Sequence, residues 1–266
     1  MKQIKKPIAT IVILAICILI QIAITFFNFS TETETAILLG AYYKAFIMAG
    51  EYWRMVTCGF VHISLWHLWL NGFSLMNIGT LFENRFGVWK YLLILFGSVL
   101  GGSLFQFASA GNTLSVGLSG GLYGLMGGYI LMVMVSGNAK RPEVISQLIR
   151  TIMINLMINF MPGIAVMAHL GGFLFGMVLT GLFLPEADGL RIRMAISGIA
   201  LCLVTGWFVF KANTIREDQV YLLSDYRVLK KEKEFGLGNH AMHMAEKLDQ
   251  IYGTPETLTS LLEAEE

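Results

Sequence analysis

Charge is what this sequence has least of. Asp, Glu, Lys and Arg make up 14% of its 266 residues, against 55% for hydrophobic ones. A soluble domain usually carries about 25% charged residues, so an ordinary water-soluble fold is excluded. Proline is scarce too. Of five in all, Pro7, Pro142, Pro162 and Pro185 fall at the ends of apolar runs, where a missing N–H costs little. There are three cysteines, Cys17, Cys58 and Cys202. That odd count, with two of them inside apolar runs, excludes a disulfide framework and leaves free thiols packed among apolar neighbours. The chain has no metal-ligand spacing, no glycine-rich phosphate loop and no internal repeat, so neither metal nor cofactor is expected. A net charge of +1 gives no reason to expect a nucleic-acid partner.

What is abundant is apolar sequence in long runs. About 20 such residues cross the hydrocarbon core as a helix. Seven candidate spans follow, at approximately 8–28, 63–82, 89–108, 117–136, 145–161, 164–184 and 194–210. The fifth is the weakest, because Arg150, Asn155 and Asn159 interrupt it. The first has too long an apolar core for a signal peptide, and no small-residue cleavage site follows Phe26-Phe27, so it is read as a retained helix. Lys and Arg favour cytoplasmic loops. With a cytoplasmic N-terminus, the inner segments hold nine such residues: Lys2, Lys5, Lys6, Arg85, Lys90, Lys140, Arg141, Arg191 and Arg193. The outer segments among the first six spans hold only Lys44 and Arg54. The N-terminus is therefore expected inside, and the chain after the seventh span outside. That polar stretch, from about Lys211 to Glu266, is read as a small helical appendage, with a disordered tail as the alternative. Its His240 and His243 are three apart. Without further ligands they are expected to be surface histidines.

Two segments carry chemistry. Gly117-Leu118-Ser119-Gly120-Gly121-Leu122-Tyr123-Gly124 puts one serine among glycines at the start of the fourth span. Ala168-His169-Leu170-Gly171-Gly172 lies in the sixth. A histidine that takes the proton of a serine is the simplest acyl-transfer device. Both spans enter from the outer side, as does the second, which carries His67 and Asn71 four residues apart on one face. Ser119, His169, His67 and Asn71 thus share the outer half of the membrane. Four polar groups facing lipid would each be penalised, so they should converge on a hydrated pocket.

The glycines then acquire a geometric reason. Gly120, Gly124 and Gly128 recur every four residues, while His169, Gly172 and Gly176 share a face. Helices meeting through glycine approach closely, which lets a short hydroxyl reach an imidazole. The free N–H groups of the first turn after Ser119 offer a site for developing negative charge. Tyr123 lies on the serine face and is placed to pack on His169. No Asp or Glu lies in the sixth span to orient His169, so a dyad is expected instead of a triad.

Five segments, over roughly residues 50–180, resemble the rhomboid family of intramembrane serine proteases. Gly117 to Gly124 resembles its serine motif, and His62, His67 and Asn71 its His-x4-His-x3-Asn segment. Trp53-Arg54 resembles its Trp-Arg pair, and Glu83-Asn84-Arg85-Phe86-Gly87 its Glu-x-Arg-x-Gly turn. Ala168, His169, Gly172 and Gly176 resemble its Ala-His-x-x-Gly-x-x-x-Gly helix. Ile164-Ala165-Val166-Met167 stands where many members carry Asp or Asn. The resemblance implies Ser119 as nucleophile and His169 as general base. His67, Asn71 and the backbone at Ser119 would form the oxyanion site, supported by Gly117 and Gly120. Tyr123 would stack on His169, with Gly124, Gly172 and Gly176 as packing positions. The implied fold is an all-α, polytopic membrane helix bundle, a six-helix core plus one C-terminal transmembrane helix. Its parts are an N-terminal segment and first span (1–29), a catalytic core (30–185), an added span (186–212) and a polar tail (213–266).

The implied substrate is itself a membrane-spanning helix, cut near its outer end after entering from the lipid. Water would come from an outer cavity capped by the loop before the sixth span, and the fifth span would act as the gate. A multi-pass protein of a bacterial-type plasma membrane, in contact with lipid and of unassigned oligomeric state, is expected. Structural roles are read for the remaining matches. Trp53 and Arg54 anchor the first outer loop, Glu83 and Arg85 satisfy helix ends on the inner side, and His62 bonds loop carbonyls. Two rivals differ in class. One is a catalytically inactive, rhomboid-like protein that binds membrane helices. The other is a polytopic transporter or channel, which the absence of duplicated halves disfavours.

Overall fold

In lipid a chain must satisfy its backbone polar groups within each segment, and the apolar runs accordingly form helices. The computed structural model describes residues 6–27, 31–109, 111–137, 141–159, 163–184, 188–212, 221–254 and 256–264. Pro162, Pro185, Lys2, Lys5 and Lys140 lie outside these residues, as does the Asn155 side chain. Helix α1 (Ile8–Phe26) is followed by three short helices, α2 (Glu32–Leu38), α3 (Lys44–Met48) and α4 (Arg54–Thr57). The second apolar run forms α5 (Leu65–Ser74), a π-helical stretch (Leu75–Gly79) and α6 (Thr80–Phe86) without a break. It ends at Gly87, whose φ of 77° suits only glycine comfortably. Then come α7 (Val88–Ser109), α8 (Ser119–Val135), α9 (Pro142–Asn159), α10 (Val166–Phe183) and α11 (Asp188–Lys211). Four of these, α1, α7, α10 and α11, are long and apolar enough to cross a membrane, and α8 is a shorter apolar helix.

The centre of the bundle is α7, α8 and α10, packed through glycine. A Cβ built on Gly172 would lie 2.0 Å from the Gly120 carbonyl oxygen, and one on Gly176 2.3 Å from the Gly124 Cα. On Gly102 it would meet the Ala168 carbonyl oxygen at 2.5 Å. These are backbone atoms that no rotamer change can move aside. α1 packs against α5 and the π-helical stretch. Its N-terminus is capped from α6. The Glu83 carboxylate accepts from Ala9 N at 3.0 Å, Thr10 N at 2.8 Å and Thr10 Oγ1 at 2.8 Å. This is the helix-end role read for Glu83, a negative charge at the positive end of a helix dipole. Among the described residues, α9 is not closely packed against any other helix.

The loop between α1 and α5 is ordered by a buried cation. Arg54, 1% exposed, bonds the Glu51 carboxylate and the carbonyls of Ile37 and Ala41, and lies over the rings of Phe46 and Trp53. It therefore holds the loop from within, while its neighbour Trp53 is 48% exposed. Strand β1 (Tyr42–Tyr43) pairs antiparallel with β2 (Leu114–Ser115), Tyr42 opposite Ser115 and Tyr43 opposite Leu114. That pairing ties the loop to the segment just before Ser119.

The polar C-terminal stretch forms α12 (Leu222–Glu234), α13 (Gly238–Tyr252) and α14 (Thr257–Glu263). These helices share one hydrophobic core with the loop. Val228, Leu229, Ala241, Met244, Ala245, Leu248 and Leu258 pack with Ile37, Ala45, Phe46 and Ala49. At its centre the fully buried Asp225 accepts from the hydroxyls of Tyr43 and Tyr252, each at 2.7 Å. The Asn112 amide donates to both phenolic oxygens at 3.1 Å. The tail thus completes the loop's core and does not stand as a separate unit.

Candidate active site

Ser119 is the first residue of α8, and the turn that presents it needs glycine twice over. Gly117 has φ 108°, a region that side chains rarely adopt, and a Cβ there would lie 2.5 Å from Cε1 of His67. The turn is fixed from below by a bond from Gly117 N to the Cys58 carbonyl at 3.0 Å. The first backbone bond of α8 runs from Leu122 N to Leu118 O. The N–H groups of Ser119, Gly120 and Gly121 therefore have no intrahelical acceptor and point toward the serine end.

His169 lies in the first turn of α10. Its Nε2 is 2.8 Å from Ser119 Oγ, a normal hydrogen bond. The ring of Tyr123, one turn after Ser119, stacks on the imidazole with centroids 4.0 Å apart and planes at 9°. His169 is 5% exposed, so these contacts set its orientation with little competition from solvent. The glycine contacts make the approach possible, since Gly120 and Gly172 are the neighbours of Ser119 and His169 along the α8–α10 seam.

The other ring nitrogen has a partner that sequence reading missed. His169 Nδ1 is 2.6 Å from Oδ1 of Asn159, the last residue of α9. Asn159 also hydrogen-bonds the Tyr123 hydroxyl. An amide oxygen can only accept, so Nδ1 carries the proton and Nε2 is left bare to accept from the Ser119 hydroxyl. That is the tautomer a general base needs. The signal was available in the sequence. Asn159 interrupts the fifth apolar run, yet it closes α9 against the His169 ring.

His67 and Asn71 are less directly engaged. His67 packs against Gly117, and the buried His62 ring meets it edge-on at 5.0 Å. Asn71, 7% exposed, donates its amide to the His67 carbonyl at 2.9 Å, and its Oδ1 has no hydrogen-bond partner. His62 and Asn71 both line a narrow crevice with Leu14, Cys17 and Leu118. Of the residues expected at the site, Ser119, His169, Tyr123, Gly117, Gly120, Gly124, Gly172 and Gly176 lie together. His67 borders the serine turn, and Asn71 lies beside it with one of its two amide N–H groups bonded to the His67 carbonyl.

A serine hydroxyl hydrogen-bonded to an oriented imidazole, beside free backbone N–H groups, has the parts for acyl transfer. Residues 49–186, just over half the chain, match the rhomboid domain. The chain belongs to the rhomboid family. Among similar proteins, the rhomboid protease GluP of Bacillus subtilis (strain 168) is 27% identical over 232 residues, covering 86% of this chain and 46% of its own. RHOMBOID-like protein 5 of Arabidopsis thaliana is 36% identical over 145 residues, 53% of this chain and 47% of its own. A third, named inactive RHOMBOID-like protein 8, also from Arabidopsis thaliana, is 32% identical over 137 residues, 51% of this chain and 39% of its own. The chain spans less than half the length of each of these relatives. As a rhomboid with several apolar helices long enough to cross a bilayer, it is a multi-pass membrane protein of a family that includes proteases.

Proposed function

We propose that this rhomboid is an intramembrane serine endopeptidase that hydrolyses a peptide bond near the outer end of a membrane-spanning substrate helix. The observation that supports it most is the 2.8 Å contact of Ser119 Oγ with His169 Nε2 in a buried, oriented setting. His169 takes the hydroxyl proton as Ser119 Oγ attacks the scissile carbonyl. The resulting oxyanion is met by the N–H groups of Ser119 and Gly120 at the positive end of α8. His169 then gives the proton to the leaving amine, and the C–N bond breaks. A water, deprotonated by His169, hydrolyses the acyl-enzyme and frees Ser119. Asn71 joins the oxyanion site through its second amide N–H, the first staying on the His67 carbonyl. No metal or cofactor enters the scheme.

The loosely packed α9 is the gate for a substrate arriving from the lipid. The catalytic core is the segment 30–185, the N-terminus is cytoplasmic and the site opens to the outer face of the plasma membrane. Ser119→Ala and His169→Ala are expected to abolish cleavage of a reporter transmembrane helix while the protein still inserts and folds. Wild-type cleavage by either purified variant overturns the assignment.

A second reading, a helix-binding protein without turnover, has a footing in the relative that is named inactive. An activated fluorophosphonate separates the two. Covalent labelling that requires both Ser119 and His169 supports the protease, and a chain that resists labelling while binding the reporter helix supports the second reading.

A further inference from the structure

A second cluster of reactive side chains lies far from Ser119, where the C-terminal helices meet the loop before α5. Glu51 Oε1 is 3.0 Å from His240 Nε2 on α13. Glu232 Oε2, at the end of α12, is 3.9 Å from the same nitrogen. The three ligand atoms all lie within 4.8 Å of one another. Among the described residues, this is the one group of three such side chains close enough to hold an ion.

Charge and hydrogen bonding point to a cation site. Glu51 and Glu232 are both buried, with side chains 6% and 9% exposed. Among the described residues, the buried cation bonded into the cluster is Arg54, whose Nε is taken by the other oxygen of Glu51. Glu232 Oε2 is out of contact with solvent and has no hydrogen-bond partner. A buried carboxylate oxygen left in that state costs free energy. Around a tetrahedral ion with bonds of about 2.0–2.2 Å, neighbouring ligand atoms lie roughly 3.3–3.6 Å apart; the two His240–carboxylate separations of 3.0 and 3.9 Å bracket that spacing, and the two carboxylate oxygens, within 4.8 Å of each other, draw together on binding. His240 is 43% exposed on its side chain, which gives an entry path from water and room for a water as fourth ligand.

We propose that Glu51, Glu232 and His240 form a divalent transition-metal site, suited to zinc by its one nitrogen and two carboxylate ligands, that staples α12 and α13 to the loop before α5. Because Glu51 is bonded to Arg54, which itself holds the carbonyls of Ile37 and Ala41, the ion fixes the loop and the tail as one body. Binding displaces the proton shared between His240 and Glu51. His243, the residue that the sequence pairs with His240, takes no part. It is 60% exposed on its side chain and 3.9 Å from Glu246.

The test uses the full chain in detergent, stripped with a chelator and titrated with zinc at neutral pH, with bound metal counted after desalting. One equivalent per chain is expected, with a higher melting temperature and slower proteolysis of α12–α14. Glu232→Gln and His240→Ala should each weaken binding by more than about 100-fold, and His243→Ala should not. His240 is partly exposed, so its variant keeps the test valid should Glu232→Gln fold poorly. Substoichiometric uptake, or uptake unaffected by the Glu232 and His240 changes, overturns the site. So does a tail whose melting temperature and proteolysis do not respond to zinc. None of these outcomes depends on Ser119 chemistry.

Discussion

Replacing Gly172 by alanine tests whether the helix seam holds the two reacting groups together. The added Cβ would sit 2.0 Å from the Gly120 carbonyl oxygen and 3.0 Å from its Cα. Real Cβ atoms essentially never come under 3.0 Å, so α8 and α10 must part by about 1 Å, there being no flexible side chain to yield. Ser119 precedes Gly120, and His169 lies one turn before Gly172, so the displacement falls on the pair. A contact of 2.8 Å becomes about 3.8 Å, beyond hydrogen-bonding reach. A misplacement of about 1 Å can lower the rate of a positioned reaction about 100-fold, roughly 2.7 kcal/mol in the barrier. Overpacking also costs about 1–3 kcal/mol of stability. The assay is single-turnover cleavage of a reporter helix, run well below the melting temperature so that unfolding does not contribute. Fluorophosphonate labelling should slow in parallel. Gly206→Ala is the control, because a Cβ there meets no atom within 4 Å, and it should cleave as wild type does. A Gly172→Ala protein that is less stable but cleaves at the wild-type rate refutes the coupling of seam to site.

Asn159→Ala should lower kcat about 10- to 100-fold with little change in KM, the usual scale for losing a group that orients a functional histidine. Asn159→Asp, which keeps an acceptor for Nδ1, should recover part of it, and equal loss in both variants would deny the positioning role. Glu83→Ala removes the acceptor of three donors at the start of α1 and should cost about 1–3 kcal/mol in thermal unfolding. An unchanged melting temperature would contradict the cap. The tail should respond to pH through Asp225. Burial pushes its carboxyl up to about 6 from 3.8, against the opposing bonds from Tyr43 and Tyr252. The folded state therefore binds the proton more tightly than the unfolded chain. Tail docking should be strongest below pH 4 and weaken as pH rises toward 6, by about 3 kcal/mol for a shift of about two units. Hydrogen exchange in α12–α14 measures this, and Asp225→Asn should remove that part of the slope.

Residue order alone was enough to read the helical membrane bundle and the main parts of the candidate site. Scarce charge and long apolar runs leave little but helices, because a bilayer offers no water to an open backbone. The approach of Ser119, His169 and their glycines was legible because polar Ser and His stand out in long apolar runs, and the glycine spacing repeats on a helix face. Tertiary structure decided what depends on approach between distant segments. Asn159 looked like a defect in α9 until its amide was found against His169, ten residues along but on another helix. Arg54 anchors the loop as its sequence position implies, but only packing shows that it does so from within, at 1% exposure. His240 seemed to lack further ligands because Glu51 lies 189 residues away along the chain. Periodicity and depth are local properties, readable from order alone. Which oxygen meets which nitrogen is set by how helices and loops pack, and chain order does not contain that distance.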